Sequence, residues 1–259
     1  MKLNGAKRGV VTGIVFFLSL YVSSQSIVHI ENSRFSQRNE GFSGNIDVGL
    51  NFTQAVNFIF NTSNASQLQY AKKNHSVLSV NSLNLTVVNK TTPVNDGFQH
   101  FRYGYKIKEH YIFESFVQGQ YNHNTRLKAR YLAGIGMLFK VFETKKDSLQ
   151  LYTGVHYMPE YEEEMGGKIN RHHRLNSIVS FNVPFSSKSA FELVAYIQPD
   201  IARLTDFRIS SQASYEIPIT EKLLFKVAFA VFYDTHPPEG LQTTFFSARN
   251  SLKYKFGKK

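Results

Sequence analysis

Cysteine and tryptophan are both absent from this sequence. Without cysteine, the protein can form no disulfide, carry no catalytic thiol and build no cysteine-ligated zinc site. It also lacks the lipidated cysteine that anchors a lipoprotein. The aromatic side chains besides histidine are therefore Tyr and Phe alone, present in 14 and 23 copies. Any aromatic belt at a membrane interface would have to be built from these two residue types.

Long apolar runs are equally scarce, and the one clear example lies at the N-terminus. Lys2, Lys7 and Arg8 precede an apolar segment over 10–22, and small residues follow it before Gln25. This order is typical of a secretory signal peptide over residues 1–25. The apolar segment is shorter than the roughly 20 residues that a membrane-spanning helix requires, and no later segment reaches about 18. We therefore predict an exported protein without a membrane-spanning helix after processing.

Acidic residues are outnumbered, with 19 Asp and Glu against 30 Lys and Arg and a net charge of +11. The lysines are dispersed among predicted turns, for example at 72–73, 145–146 and 222. A nucleic-acid-binding protein would need a basic stripe interleaved with exposed aromatics. Dispersed turn lysines instead favour a solvated rim that faces anionic lipid headgroups. We therefore expect outer-membrane lipids, and no nucleic acid, among the partners.

The sequence is rich in strict alternation of apolar and polar residues, most clearly from Tyr111 to Glu162. In the middle segment the apolar face reads Leu127, Ala129, Tyr131, Ala133, Ile135, Met137, Phe139 and Val141. A period of two places successive side chains on opposite faces of a β-strand. Segments of about 15 residues exceed the usual 5–6 of soluble strands, whereas about 9–11 residues suffice to cross a bilayer. The pattern predicts an all-β fold, an antiparallel transmembrane β-barrel.

Twelve such segments lie between residues 42 and 256, after a polar periplasmic lead-in over 26–41 and before a short tail over 257–259. An even count is the rule for single-chain bacterial barrels. The alternation is weakest in the second segment, 57–71. Short connections that carry lysine alternate with longer ones, which we predict at 90–97, 162–169, 200–206 and 235–241. This sorting matches the short periplasmic turns and longer outer loops of outer-membrane barrels.

The last predicted strand ends on Tyr254, Lys255 and Phe256. This ending is similar to the C-terminal aromatic signal by which the barrel-assembly machinery recognises outer-membrane proteins. The resemblance implies that Tyr254 and Phe256 form an assembly signal and that the assembly machinery is a partner. The trailing 257–259 segment departs from that pattern.

One stretch of the sequence resembles a known protein family. The similarity rests on Phe101-Arg102-Tyr103-Gly104-Tyr105, then Glu114 to Asn122, then Leu127, Arg130, Leu132, Gly134 and Gly136. Over about 98–185 the chain resembles the salt-induced outer-membrane protein family, an uncharacterised barrel family of Gram-negative bacteria. The resemblance implies an outer-membrane barrel of unassigned activity and supplies no catalytic residues.

An enzymatic interpretation finds little support in the positions of the nine histidines. Outer-membrane lipases usually carry a Ser two residues after a His, and no His here has one. The nearest imitation is His123-Asn124-Thr125, although a catalytic triad needs only spatial proximity. His172 and His173 lie near the Glu162–Glu164 run but on opposite faces of a strand, a poor preformed metal site. We expect a non-enzymatic protein with no metal and no cofactor.

The inward face of the predicted barrel carries a concentration of charged and polar residues near one end. The predicted members are Glu114, Gln118, Gln120, Lys128, Arg130, Glu160, Glu162 and Arg174. Opposite charges that face each other across strands stabilise a sheet. One interpretation is an internal charge ladder that fills and rigidifies the barrel. The other is a constriction that binds an anionic or zwitterionic solute in transit.

Three functions therefore remain open from the sequence. We favour a structural or envelope-stress-related barrel with a charge-filled lumen. The first alternative is a narrow solute channel or transporter, for which small solutes would be partners. The second is an outer-membrane lipid-modifying enzyme.

Overall fold

The computed structural model describes residues 40–54, 58–88, 91–143, 149–185 and 189–257. The predicted signal peptide and all but the last residues of the lead-in lie outside them. Twelve antiparallel strands form one closed barrel in chain order, which confirms the predicted fold class and strand count. The strands are β1 Gly41–Gln54, β2 Phe58–Lys72, β3 His75–Val88, β4 Thr91–Lys108, β5 Tyr111–Asn122, β6 Leu127–Glu143, β7 Gln150–Glu164, β8 Ile169–Pro184, β9 Ala190–Pro199, β10 Phe207–Pro218, β11 Leu223–Asp234 and β12 Thr244–Gly257.

The barrel closes where β1 pairs with β12. Ser43 lies opposite Gly257, and the pairing continues to Val48 opposite Leu252. Along this paired length the wall has no free sheet edge, as hydrocarbon surroundings require, because no water is present there to satisfy unpaired backbone groups.

The predicted alternation sets which side chains face outward. On β1, Phe42 and Leu50 are more than half exposed, as are Val117 on β5 and Ile135 on β6. The other face of the strands is buried and carries mainly charged and polar side chains, with smaller apolar clusters such as Leu138, Tyr152 and Ile178. The outer surface is therefore apolar and the interior largely polar, the distribution expected for a barrel in lipid.

Two of the predicted long loops are wrong in whole or in part: 90–97 is strand over its described residues, and 162–169 is loop only over 165–168. β4 begins at Thr91, where a loop was predicted over 90–97, because Asp96 already pairs with Asn84 on one side and Asn122 on the other. β7 likewise runs on to Glu164, into the predicted 162–169 loop, because Leu127 continues the ladder there. Polar residues near a strand end read as loop in the sequence, although their backbones still pair.

The longest described connections lie at one end of the barrel. Residues 200–206 and 235–243 form loops there, close to their predicted positions. We call this the loop end, and the end that carries the short connections, with both barrel termini, the turn end. At the loop end a 3₁₀ turn, His123–Thr125, joins β5 to β6. In the described part of the chain, no helix has the length and apolar character needed to span a membrane.

The outward phase of β6 gives a direct test. Ile135 is 51% exposed in the middle of the strand, and Ile107 is 48% exposed beside the turn end of β4. Ile135→Arg should destabilise the barrel in lipid by about 2–4 kcal/mol, the cost of a charge at the bilayer midplane, whereas Ile107→Arg should cost only about 0–1 kcal/mol. Urea unfolding in lipid vesicles measures both. Equal costs for the two variants would contradict the assigned position of the membrane.

Candidate functional site

The interior of the barrel holds most of the predicted charged and polar cluster. The predicted residues that lie on the inward face are Glu114, Gln118, Gln120, Arg130, Glu160, Glu162 and Arg174. They do not share one height. Arg130 lies opposite Glu162, whereas Glu160 lies opposite Leu132, two residues farther from the loop end.

Lys128 is the predicted member that lies elsewhere. A β-bulge between Leu127 and Ala129 shifts the register of β6 against β7. An extra residue in one strand reverses the alternation locally, so Leu127 is buried and Lys128 points outward. Its side chain is 62% exposed and forms an ion pair with Glu163 at 2.6 Å. Lys128 is therefore a rim residue of the outer surface.

Arg130 and two glutamates of β7 form the centre of the loop-end network. The Arg130 guanidinium donates to Glu162 through Nε at 2.9 Å and through a second, shorter contact from Nη2. Its Nε also lies 3.7 Å from Glu160 Oε1. All three residues are less than 10% exposed. Both donors reach the same carboxylate oxygen, Glu162 Oε2, and charge-assisted contacts of this kind are stronger than hydrogen bonds between neutral groups.

Arg208 is the residue that the sequence argument missed. It lies on β10, yet it donates to Glu160 at 2.7 Å and to Glu162 at 3.0 Å. Strands β8 and β9 separate β10 from β7 in the wall, so the side chain reaches across the interior. Its Nε donates to Asp234 of β11 at 2.8 Å. Arg208 therefore ties three strands together through the lumen.

Arg174 extends the network to the loop over 200–206. Its Nη2 donates to Asp206 at 3.1 Å, its Nη1 donates to the carbonyl of Gln198 at 3.1 Å, and its Nε lies 3.9 Å from Glu160. Arg203 adds an exposed contact to Asp206 at 2.7 Å. The loop is thus held against the mouth of the barrel by charged contacts.

Two further layers of polar residues fill the interior below this network. At mid-height His156 lies 3.1 Å from Glu114, and Arg102 lies 3.7 Å from the same carboxylate. Nearer the turn end Glu216 forms ion pairs with Lys253 and Lys255. Most of these side chains have almost no solvent contact. The interior is therefore occupied by side chains at three heights.

Glycines on the inward face of β6 make room for the mid-height layer. A Cβ added to Gly134 would lie 2.1 Å from the ring of Phe116, and one added to Gly136 would lie 2.1 Å from the carbonyl oxygen of Val155 and 2.9 Å from the ring of His156. The inward Gly134 and Gly136 of the sequence are thus explained by packing inside the barrel.

Three residues near the loop end have the donor types of a metal site. Ligand atoms of His172, Asp200 and Asp206 lie within 4.8 Å of one another. However, His172 already donates to Asp200 at 2.6 Å, and Asp206 accepts from Arg174 and Arg203. Hydrogen-bond donors, two of them arginines, occupy the oxygens that a metal would need, so the fit to a metal is poor. His173 points outward, as its place on the opposite face predicts.

The same contacts lower the pKa of two carboxyl groups in the loop, those of Asp200 and Asp206. Burial opposes ionisation of Asp200, but hydrogen bonds from His172 and from the Ala202 N–H outweigh it and hold the pKa of Asp200 below its usual value. Burial also opposes ionisation of Asp206, and hydrogen bonds from Arg203 and Arg174 together with the Arg174 charge hold the pKa of that carboxyl low. Both carboxylates therefore stabilise the docked loop in their ionised form.

The sequence of the barrel matches one protein family. The profile of a family described as "Protein of unknown function, DUF481" matches residues 46–256, nearly the whole barrel. The chain belongs to the DUF481 family. No functionally curated protein matches it.

Several solved barrels are similar to this DUF481 chain in structure. The NanC porin superposes with a TM-score of 0.51 at 12% identity, over 82% of this chain and 100% of the porin. The KdgM porin in complex with disordered oligogalacturonate gives 0.48 at 10% identity, over 82% and 99%. The translocator domain of autotransporter NalP from Neisseria meningitidis gives 0.45 at 10%, over 88% and 93%. At 12% identity the NanC likeness shows a shared outer-membrane-type barrel fold.

The two residues of the predicted assembly signal lie at the seam of the barrel. Tyr254 is 45% exposed on the outer face of β12. Phe256 lies opposite Gly44 of β1, where an added Cβ would lie 2.7 Å from its ring, and its ring centroid is 6.3 Å from that of Phe42. Both aromatics therefore line the closing strand pair near the turn end.

The lumenal network of this DUF481 protein predicts a large difference between two arginines. Arg208→Ala leaves Glu160, Glu162 and Asp234 without a shared buried partner, which typically costs about 3–5 kcal/mol. Arg203→Ala removes a side chain that is 56% exposed and should cost about 0–1 kcal/mol. Urea unfolding in vesicles gives both values. A loss for Arg208→Ala as small as that for Arg203→Ala would show that the network contributes little.

The lowered pKa values predict how the 200–206 loop responds to acid. Because both carboxyls titrate below the usual aspartate pKa of about 3.9, the stabilisation is complete above that pH. It is lost as the pH falls below it, through the folded-state values. Pepsin should therefore cleave beside Leu204, which is 70% exposed, increasingly as the pH is lowered through that range. Cleavage in the 219–222 turn serves as the reference for the protease's own activity.

A double substitution provides the control for this acid response. Asp200→Asn combined with Asp206→Asn should make the loop equally susceptible to pepsin at pH values above and below the transition. A wild-type cleavage ratio that stays flat across this range would contradict the role of the two carboxylates.

Proposed function

We propose that this protein is a non-enzymatic structural barrel of the bacterial outer membrane, with a lumen closed by buried ion pairs. One observation carries the proposal. Arg208 bridges Glu160 and Glu162 of β7 to Asp234 of β11 across the interior, and all four side chains are at most 5% exposed. A side chain that crosses the lumen and has all its polar contacts within the wall obstructs solute passage there.

The pairing of charges supports a structural role over a catalytic one. Two loop-end carboxylates are each engaged by two arginines, Glu162 by Arg130 and Arg208, and Asp206 by Arg174 and Arg203. Thr125 carries the hydroxyl of His123-Asn124-Thr125, the segment most similar to a lipase motif. Thr125 is 1% exposed, and its hydroxyl donates to the carbonyl of Asn122 within the same turn. These groups stabilise the barrel and its mouth.

The proposed location follows from the barrel and the start of the sequence together. Residues 1–25 would direct export, and Tyr254 and Phe256 would present the last strand to the barrel-assembly machinery. The loop end would face outward and the turn end the periplasm, in keeping with the usual loop lengths of this class. The resemblance to salt-induced outer-membrane proteins supports a role in maintaining the envelope when external salt changes.

A narrow solute passage is the second candidate, and the amide side chains of β5 favour it. Gln118 and Gln120 face the interior, are only half-buried and hydrogen-bond to each other at 2.8 Å. They retain solvent contact on the wall that lies away from Arg208. A passage along this wall would have to pass beside the loop-end network.

Single-channel recording in planar bilayers separates the two candidates. The wild-type protein should give no stable current, because Arg208 and its partners fill the lumen. Arg208→Ala should give small current steps with cation preference, since Glu160, Glu162 and Asp234 then line the gap with one cationic partner fewer. Arg203→Ala, which leaves the crossing side chain in place, serves as the control and should stay silent.

A stable wild-type current would overturn the structural proposal. If its ion selectivity followed charge reversal at Arg130 and Glu160, the current would support the channel. The folded fraction of each variant is checked beforehand by its heat-modifiable mobility on gels, so that absence of current is not confused with misfolding.

A further inference from the structure

The outer wall of the barrel carries a groove that the lumenal network does not explain. It lies over strands β4 to β8 and encloses a volume of about 700 Å³. Volumes in this range are typical of small-molecule pockets. Its lining is mainly apolar, and the side chains of its floor and walls lie on the outward faces of their strands.

The groove exists because small residues meet on adjacent strands. Gly119 lies beside Tyr131, and Val117 pairs with Ala133 on the next strand. Pro159 of β7 follows, and it lies opposite His173 of β8. Glycine, alanine and proline project little from the outer surface, so the larger outward side chains around them form the sides of a depression.

Aromatic side chains form the walls of the groove. Phe101 is 50% exposed and Tyr131 is 60% exposed, and the ring of Tyr131 stacks on Tyr161 at 6.4 Å between centroids. On the far side His173 is held by a hydrogen bond to the hydroxyl of Tyr157 at 2.6 Å, with the two rings stacked. The walls are therefore braced before any ligand arrives, which lowers the entropic cost of binding.

The two ends of the groove differ in chemistry. At one end Gln99 presents its amide, which accepts from Asn81 at 2.8 Å and donates to Ser79 at 3.2 Å. At the other end lies the exposed Arg171, opposite Tyr161. A fixed amide suits sugar hydroxyls, and an exposed guanidinium suits phosphate. The amide, the apolar floor and the cation thus lie along one surface.

The position of the groove along the barrel agrees with this chemistry. Gly119 lies eight residues beyond Tyr111, which begins β5 at the turn end. At about 3.4 Å per residue and a tilt of about 40°, these eight residues span roughly 20 Å along the barrel axis. The apolar band of such a barrel is about 25 Å tall. Gly119 therefore lies near the headgroup level of the leaflet on the loop-end side. Arg171 lies closer to the loop end, only two residues into β8, and the apolar floor reaches below both.

We propose that this groove binds a phosphorylated glycolipid of the outer leaflet, a lipid of the lipid A type, with an acyl chain on the Gly119–Ala133–Pro159 floor. Gln99 receives the sugar and Arg171 the phosphate. The proposal rests on the outer-membrane placement given above and on the loop end facing outward. It is independent of whether the lumen is closed.

Native mass spectrometry of the full-length barrel in nonionic detergent tests the proposal with synthetic bisphosphorylated lipid A as the probe. Ala133→Phe fills the floor from an exposed position and should weaken binding about tenfold or more, through loss of apolar contact. Ala213→Phe places the same substitution on the outer face of β10, also six residues from the loop-end start of its strand. It should bind lipid A as the wild type does.

The charged end has its own test. Arg171→Gln should bind the bisphosphorylated and monophosphorylated forms of lipid A equally, whereas the wild type prefers the former. Lys106→Gln, an exposed change at the turn end, should keep the wild-type preference. Folding of every variant is verified by heat-modifiable mobility.

Several results would overturn the proposal. These are equal binding of phosphatidylglycerol and lipid A by the wild type, unchanged binding by Ala133→Phe, or equal loss in Ala133→Phe and Ala213→Phe. Because bilayer current is recorded separately, an open lumen would refute the structural function without touching the lipid site. A barrel that carries no current and binds no lipid A would refute the lipid site and leave the structural function intact.

Discussion

Everything in this structure depends on pairing the backbone completely within the wall. A strand in hydrocarbon cannot leave N–H and C=O groups to water, so the sheet must close on itself. The pairing of β1 with β12 accomplishes this, from Ser43 opposite Gly257 to Val48 opposite Leu252. Once the sheet is closed, the period-two pattern assigns one face to lipid and the other to an enclosed interior. The apolar exterior and polar interior are both consequences of that one constraint.

Closure creates an interior that side chains must either fill or leave to water. Here they fill it largely with ion pairs, beside smaller apolar clusters, although buried pairs add less net stability than apolar packing of the same volume. The ion pairs instead fix the positions of the strands. Arg208 contacts β7 from β10, and these two strands share no backbone ladder. A barrel braced in this way resists flattening at the end where its 200–206 loop and its carboxylates meet.

The sequence was sufficient for the fold because alternation is a local signal. The alternation with a period of two residues gives the strand number, the outward faces of Phe42 and Ile135 and the inward position of Arg130. It could not give three other features. The bulge before Ala129, which turns Lys128 outward, depends on the pairing of β6 with β7. Arg208 meets Glu160 across the interior, 48 residues away in sequence, and the outer groove requires five strands to be aligned.

Strand β7 shows how the two faces of the wall depend on each other. Its ladder with β6 pairs Leu132 with Glu160 and Ile135 with Tyr157, and Pro159, which lies between them, has no N–H to contribute. The ladder is interrupted at Pro159, which lines the outer groove. On the inner face of the same strand, Glu160 is bonded by Arg208 and approached by Arg130 and Arg174. The ion pairs inside thus hold β7 beside the residue at which its ladder with β6 is interrupted.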